Sequence, residues 1–170
     1  MKLKFVSLVV AATLIMSCGT TYTSTSNNAA YNVTVPSGIQ ANFAAQYPDA
    51  TNIVWNSYDA GTVPVDWEMA GWTALDANDY TVTFNVGQNQ YYGWYDNNGA
   101  LIGTAYAITD YSQLPYAVNT MLQKDYKDYS IEAVQREMWG TQTAYELKLK
   151  NGDNKTKLLV DSKGNILKQK

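Results

Sequence analysis

Apolar and polar residues alternate in two stretches of the chain that lie 65 residues apart. Residues 80–86 read YTVTFNV, and residues 145–150 read YELKLK. Alternation with a period of two places the apolar side chains on one face of a β-strand and the polar side chains on the other. Both stretches are therefore predicted to be half-buried strands of an antiparallel sheet, with the apolar rows packed in a core and the polar rows facing water.

The turn signals repeat at the same spacing. The sequence DNNG at 96–99 corresponds to DSKG at 161–164, and Gly87 corresponds to Gly152. Asp, Asn and Gly are the residues that tight hairpin turns favour, because such turns need positive φ angles. The chain is therefore predicted to contain two copies of one unit in which strands are joined by turns.

A helical pattern opens each copy. Apolar residues recur every four positions, as one face of a helix requires: Ile39, Phe43 and Tyr47, and again Val118, Leu122 and Tyr126. Pro36 and Pro115 stand where the two helices begin, and Pro48 ends the first. A short strand follows each helix, NIVW in the first copy and SIEAV in the second.

These patterns predict an α+β fold. Residues 34–170 form one domain of two repeats, about 34–108 and 109–170, each a helix plus an antiparallel sheet. Together they are expected to make one sheet of about eight strands with both helices on one face. A single repeat has a small core and open sheet edges, so two repeats that share a core are more stable. The first repeat carries extra residues between Trp55 and Tyr80.

Composition restricts the chemistry. The 170 residues include no His and one Cys, and the formal net charge is -3. The lack of His removes the commonest general base and metal ligand, and one Cys cannot form an intramolecular disulfide. No basic cluster indicates a nucleic-acid partner. The sequence therefore predicts no enzyme activity, no cofactor and no nucleic-acid binding.

The N-terminus predicts export. Lys2 and Lys4 precede an apolar run that ends in IMSC, which resembles a bacterial lipobox. Residues 1–17 are interpreted as a lipoprotein signal peptide, Cys18 as the lipidated residue, and residues 18–33 as a flexible tether. An ordinary secretory signal is the alternative. The tether lacks acidic residues, which favours a lipid anchor in the outer membrane that faces the periplasm.

Several segments together resemble a known family. The segments FAAQYPDATNIVW, DWEMAGW, DYTVTF and YYGWYDNNGALIGTA, in this order, resemble the beta-lactamase-inhibitor-like, PepSY-like proteins of Bacteroidetes over residues 34–170. The resemblance implies a secreted or lipid-anchored protein without established enzyme activity. It also implies a fold similar to that of the beta-lactamase inhibitory protein, whose concave sheet grips an enzyme. That inhibitor has disulfides, and this chain cannot form one internally.

Two kinds of acidic site are weighed against simpler interpretations. Asp66 with Glu68, and Asp76 with Asp79, could form acid–base pairs if they were buried together. Turn formation and a solvated strand face are the favoured interpretation. The segments DANDY, DNNG and NGDN are rich in oxygen ligands, but none completes a calcium-binding loop. No metal site is predicted.

Aromatic residues supply the positive functional signal. Trp67, Trp72, Tyr92 and Trp94 lie in or beside the extra segment of the first repeat, whereas the second repeat has Lys157 and Leu159 at the positions of Tyr92 and Trp94. Such side chains are common at binding hot spots. We expect them to bind an envelope protein or peptide through the open sheet face, in an inhibitor-like manner. A small-ligand or glycan site is one alternative, and a second small core formed by the folded-back segment is another.

Overall fold

A computed structural model describes residues 33–170; the predicted signal peptide, the lipidated Cys18 and nearly all of the tether lie outside the described residues. Eight strands form one antiparallel sheet in which each strand pairs with the next in sequence. The strands are β1 Thr51–Ser57, β2 Tyr80–Val86, β3 Asn89–Tyr95, β4 Leu101–Ala107, β5 Ser130–Trp139, β6 Gln142–Asn151, β7 Asn154–Asp161 and β8 Ile166–Gln169. The predicted α+β fold is confirmed.

In the described part of the chain, three helices accompany the sheet. The helices α1 Ser37–Gln46 and α3 Tyr116–Asp125 each follow a proline with a φ of -54°, and α2 Trp67–Ala70 is a single turn between β1 and β2. Two short 3₁₀ turns span Ala60–Thr62 and Tyr111–Gln113. Within residues 33–170 no helix combines the length and the apolar character that crossing a bilayer requires.

Both long helices pack on the same face of the sheet, as predicted. Ile39 and Phe43 of α1 pack with Val82 and Phe84 of β2. In the second repeat, α3 packs on the aliphatic residues of β5, β6 and β7: Val118, Met121 and Leu122 contact the cluster of Val134, Leu147, Leu149, Leu158 and Val160. Tyr91 of β3 packs against both clusters and joins the two cores.

The structure reproduces the repeat in its turns. Gly99 and Gly164 have φ angles of 89° and 80°, and each stands against the helix of its own repeat. Asp96 accepts the backbone N–H groups of Asn98 and Ala100, and Asp161 accepts those of residues 163 and 165. The same backbone geometry thus holds the same turn twice.

The second repeat has longer strands than the sequence pattern predicts. The predicted strand SIEAV is the first half of β5, which continues to Trp139, and β6 begins at Gln142, before Tyr145. Arg136, which donates a hydrogen bond to the Tyr106 hydroxyl at 3.1 Å, occupies a position on the helix face that the apolar pattern did not reveal. A hairpin with Gly140 at a φ of 55° joins the two strands.

Candidate functional site

The face of the sheet opposite α1 and α3, here called the open face, carries a different set of side chains. The register of β2, β3 and β4 aligns Thr81, Trp94 and Gly103 in one row across the sheet. The neighbouring row contains Thr83, Tyr92 and Ala105. On β5–β7 the same face carries both acidic and basic residues: Glu137, Glu146, Lys148 and Lys157, together with Ala144 and Leu159.

Residues 58–79, here called the cover segment, fold back over the centre of the open face. Its apolar residues Val65, Ala70 and Trp72 pack with Trp94 and Ala105. Met69 reaches the second repeat, where it packs with Ala144 and Leu159. The cover segment therefore spans both repeats and buries apolar residues that would otherwise face water.

Four tryptophans form the centre of this contact. The ring of Trp72 lies 5.0 Å from that of Trp67, 5.5 Å from that of Trp94 and 5.8 Å from that of Trp139, measured between centroids. Gly103 provides the space, because a Cβ at this position would lie 2.8 Å from the Trp72 ring. A side chain at position 103 would force the cover segment away from the sheet.

Charged groups hold α2 at its N-terminal end. The carboxylate of Asp66 accepts hydrogen bonds from Lys157 at 2.8 Å and Lys170 at 3.1 Å, and it caps α2 by accepting the Met69 N–H at 3.2 Å. Lys170 also lies 2.7 Å from Glu68. Burial opposes ionisation of Asp66, but the hydrogen bonds from the two lysines outweigh it and lower its pKa to about 2.

Two buried glutamates lie beneath α2. Glu137 and Glu146 are both 0% exposed. Glu146 accepts the Asp66 N–H at 2.7 Å and lies 3.6 Å from the Lys148 ammonium, whereas neither oxygen of Glu137 has a hydrogen-bond partner among the described residues. Burial, and then the charge of Glu146, raise the pKa of Glu137 to about 9, so Glu137 holds a proton at neutral pH.

A pocket of about 650 Å³ remains between β1–β3 and the start of the cover segment. Its surface is mainly apolar, and its polar side chains are hydroxyls, one amide and one carboxylate, with two tyrosines beside them: Asn56, Ser57, Asp59, Thr62, Thr81 and Thr83, with Tyr58 and Tyr92. Trp94 is also among the lining residues. The Thr81 hydroxyl and the Trp94 indole N–H are buried without a partner in the described part of the chain, and neither is accessible from the pocket. The pocket thus combines aromatic surface with accessible polar side chains.

Comparison with known protein families identifies the chain. Residues 78–168, more than half of the sequence, match the family model described as "putative beta-lactamase-inhibitor-like, PepSY-like". The chain belongs to this family. No curated protein sequence matches this PepSY-like chain.

Solved structures from Bacteroides share the fold. A BLIP-like protein from Bacteroides fragilis is similar with a TM-score of 0.65 and 19% identity, over 81% of this chain and 86% of that one. A DUF2874 family protein from Bacteroides ovatus is similar with a TM-score of 0.63 and 18% sequence identity, over 81% of this chain and 88% of that one. A structure from Bacteroides eggerthii described as "putative periplasmic proteins" is similar with a TM-score of 0.60 and 16% sequence identity, over 80% of this chain and 88% of that one. At these identities the similarity establishes the fold of the PepSY-like chain.

The family match begins just before β2. Helix α1, strand β1 and nearly all of the cover segment precede residue 78 and lie outside the matched range. The structural matches extend over about four fifths of the chain. The matched range therefore contains the sheet from β2 to β8, but not the segment that covers its open face.

The four candidate binding residues are brought together, but they are not equally accessible. Trp94 is 0% exposed and Trp72 is 8% exposed, whereas Trp67 and Tyr92 are partly exposed. The structure corrects the expectation of an uncovered sheet face, because the cover segment shields this part of it from solvent. Trp72 and Trp94 therefore cannot contact a partner while the segment stays in place. Tyr92 lines the pocket and remains accessible.

The other acidic candidates have structural partners. Asp79 accepts the backbone N–H groups of Asp76 and Asn97, and Asp76 accepts that of Asn78, so this pair closes a turn. Glu68 is exposed and paired with Lys170. Residues 33–170 contain no group of three or more acidic side chains arranged around a possible metal position.

Sequence reasoning missed the buried glutamates. The alternation in YELKLK predicts that Glu146 faces water, and the structure corrects this prediction because Asp66 and Met69 lie over that part of the strand. A polar position in an alternating strand indicates only the face on which a side chain lies. The available signal was the apolar content of the extra segment, whose Val65, Met69 and Trp72 need a surface to pack on.

Proposed function

We propose that this protein is a non-enzymatic lipoprotein of the cell envelope that binds a protein or peptide partner at the pocket on the open face. The observation that carries the proposal is the pocket itself. It is lined by Tyr58 and Tyr92, rigid amphipathic side chains typical of binding hot spots, and by polar side chains such as Asn56 and Asp59. A volume of about 650 Å³ suits one or two side chains of a peptide.

The position of the pocket at the edge of the sheet supports a peptide partner. Asn56 and Ser57 of β1 line it, and β1 pairs only with β2 in the described part of the chain. The outer edge of β1 thus has backbone groups that an extended peptide could pair with as an added strand. Alternate side chains of such a peptide would point towards the open face and into the pocket.

The family description extends the proposal to inhibitor-like binding. One structural neighbour is described as a BLIP-like protein, and the family as beta-lactamase-inhibitor-like. We propose that the PepSY-like chain acts by occupying a site on its partner rather than by catalysis. Lipidation of Cys18, with an outer-membrane location facing the periplasm, remains part of this proposal, and the periplasmic description of a second neighbour supports it.

Site-specific photocrosslinking tests the proposal. A benzophenone amino acid replaces Tyr92 in one variant and Tyr116, which is 86% exposed on α3, in the matched control. A discrete adduct with one envelope protein is expected from position 92 and not from position 116. Thr83→Trp, which fills the pocket, should abolish the adduct. Identical adducts from positions 92 and 116, or an adduct that survives Thr83→Trp, would contradict the proposal.

A small polar ligand, such as a glycan, is the second candidate. The observation that favours it is the lining of hydroxyl and amide groups beside Tyr58 and Tyr92, which suits a sugar ring that stacks and forms hydrogen bonds. Titration of monosaccharides and short oligosaccharides, followed by NMR shifts of Thr81 and Thr83, distinguishes the two. Saturable shifts with a sugar, together with no adduct from position 92, would favour the glycan.

A further inference from the structure

The part of the open face formed by β5–β8 has the chemistry of a docking surface. Ala144 and Leu159 provide a flat apolar floor. Lys157, Lys168 and Lys170 stand beside it, and each donates a hydrogen bond to a carboxylate or a carbonyl oxygen of the cover segment. Such a surface suits a segment with acidic groups and an apolar residue one turn apart.

The present occupant of this surface is the single turn α2. Met69 packs on the floor, while Asp66 and Glu68 reach the lysines. The ion pairs lie at the surface, where the side chains of Lys157 and Lys170 are 39% and 42% exposed. The Asp66 side chain is only 12% exposed and Met69 is 1% exposed, so buried apolar contact also holds α2. Because water and salt screen the exposed lysine ends, the ionic part of this contact depends on ionic strength.

Two buried carboxyls lie beneath the occupant. Glu137 and Glu146 are both 0% exposed, and the protonated Glu137 can donate a hydrogen bond to the neighbouring Glu146 carboxylate. The charged groups that face Glu137 are Glu146 and Lys148 from β6 and Asp66 from the cover segment. Glu146 also accepts the Asp66 N–H at 2.7 Å, so the surface offers the occupant an acceptor for a backbone N–H. Removal of α2 would admit water to both carboxyls.

The docked part of the cover segment lies between exposed residues. Residues 59–62 precede it and residues 73–74 and 76–78 follow it, all of them exposed. Gly71, with a φ of 68°, ends α2. Residues 63–72 could therefore move off the sheet as a unit without breaking any strand pairing.

We propose that residues 63–72 are a displaceable occupant, and that the surface beneath α2 receives an acidic, apolar segment of a protein partner in their place. The sequence VDWEMA of the cover segment indicates the chemistry of that partner. Like Asp66, Glu68 and Met69, the partner segment would present two carboxylates two residues apart and an apolar side chain. It would also donate a backbone N–H to Glu146, as Asp66 does. Val63 also lines the pocket, so displacement would open one wall of it. The inference is argued from the lysines and the apolar floor of β5–β8, and it does not rest on the proposed pocket function.

A peptide copy of the segment tests the proposal. The probe is a fluorescein-labelled peptide with the sequence of residues 62–73, TVPVDWEMAGWT, added to the intact protein and to the variant Asp66→Lys/Glu68→Lys. The variant should release its own segment and bind the peptide at least about tenfold more tightly than the unaltered protein does. A peptide with Asn and Gln in place of Asp and Glu is the control and should bind weakly.

A charge swap provides the matched control. In Asp66→Lys/Glu68→Lys/Lys157→Glu/Lys170→Glu the ion pairs are restored with opposite sign, so the segment should dock again and the bound peptide should be lost. If Asp66→Lys/Glu68→Lys folds and does not bind the peptide, the proposal is wrong. If the four-substitution variant binds as tightly as the two-substitution variant, the charges do not control docking and the proposal is also wrong.

Hydrogen exchange decides the matter if the two-substitution variant fails to fold. In the unaltered protein the amides of Met69, Ala70 and Gly71 are hydrogen-bonded within α2. These amides should exchange at least about 100-fold faster than the amides in the centre of β6, because the cover segment can leave the sheet while the sheet stays folded. Raising the salt to roughly 0.5 M should speed their exchange further. Exchange of these amides at the rate of the central β6 amides would overturn the proposal.

Discussion

Both repeats have an apolar core on the helix face, rich in aromatic residues in the first and mainly aliphatic in the second, but their open faces differ in kind. Val82 and Leu147 are equivalent in sequence and both are 0% exposed beneath a helix. On the opposite face, Trp94 corresponds to Leu159 and Tyr92 to Lys157. The helix face preserves a core, whereas the open face of one repeat has become aromatic and that of the other charged.

The cover segment explains how the difference is used. It belongs to the first repeat, packs its Trp72 on that repeat's Trp94, and sends Asp66 and Met69 to the charged and aliphatic surface of the second. An insertion in one copy of a duplicated unit thus turns two similar surfaces into two halves of one interface. The comparison teaches that both repeats keep an apolar surface beneath the helices, whereas the side that the helices leave free is aromatic in one repeat and charged in the other.

The largest loss of stability is expected when the two equivalent residues beneath the cover segment are replaced. Trp94→Ala should lower the free energy of unfolding by about 3–5 kcal/mol, and Leu159→Ala by about 2–5 kcal/mol, because each leaves a cavity beneath the cover segment. Urea unfolding measures both, with the exposed Tyr116→Ala as the control that should change little. A loss below about 1 kcal/mol in Trp94→Ala would mean that the cover segment does not pack on it.

A smaller loss of stability should distinguish the turn at Gly99 from the equivalent turn at Gly164. Both Gly99 and Gly164 have positive φ, but a Cβ at Gly164 would lie 2.7 Å from the Ala117 carbonyl oxygen, whereas one at Gly99 would meet only the Ile39 side chain at 3.1 Å. Gly164→Ala should therefore cost about 2–3 kcal/mol and Gly99→Ala about 1–2 kcal/mol, by thermal unfolding.

The control for the turns is Gly152→Ala. Its φ is 60° and a Cβ there would meet nothing within 4 Å, so only backbone strain of about 1 kcal/mol should appear. Equal losses in all three variants would mean that a Cβ at Gly99 or Gly164 is accommodated without cost, contrary to the short distances to Ile39 and Ala117.

The buried glutamate makes the second repeat sensitive to alkali. The pKa of Glu137 is raised to about 9 in the folded protein, mainly by burial. Between the pKa of the unfolded chain and about 9 the folded state retains a proton that the unfolded state releases, so stability falls as the pH rises through this range. Between about pH 5 and pH 8 the slope should approach about 1.4 kcal/mol per pH unit, the value for one proton.

Glu137→Gln should flatten this decline, because the amide does not ionise. Chemical unfolding at several pH values measures the slope, and Glu132→Gln, in an exposed ion pair on the same strand, is the control that should leave the slope unchanged. An unaltered slope in Glu137→Gln would mean that Glu137 is ionised or hydrated in the folded protein.

The smallest expected effect concerns the ion pairs of Asp66. The pKa of this carboxyl is lowered to about 2, since hydrogen bonds from the lysines outweigh burial. Its contribution is present above the unfolded pKa and is lost as the pH falls through about 2. Asp66→Asn should cost about 1 kcal/mol at neutral pH and less in salt, because the pairs are partly exposed. Asn also caps helices well, so the change tests the charge and not the cap. A salt-independent loss would mean that the ion pairs do not carry the effect.

The helix face could be predicted because its signals are local. Period-two alternation, the four-residue spacing of Ile39 and Phe43, and the Asp and Gly residues of the turns each specify nearby geometry. Repetition of these signals at a constant shift then indicated a second copy. The sheet and the position of both helices follow from these patterns alone.

The cover segment could not be placed from such signals. Its α2 has four residues, too few to show a period, and its partners Lys157 and Lys170 are distant in the chain. Alternation placed Tyr92 and Trp94 on the open face correctly, but it could not show that Trp94 is covered and Tyr92 accessible. For Glu137 and Glu146, burial depends on a segment that is remote in sequence.

The order of strands along the sheet has a consequence for the folding route. Every strand pairs with its immediate successor, so the sheet can assemble by a series of short hairpin and loop closures. The contact of Lys170 with Asp66, by contrast, joins residues 104 positions apart. Closing a loop of this length carries the largest entropic cost. The strand pairs of the sheet should therefore form first, and the contact between the cover segment and the second repeat should form last.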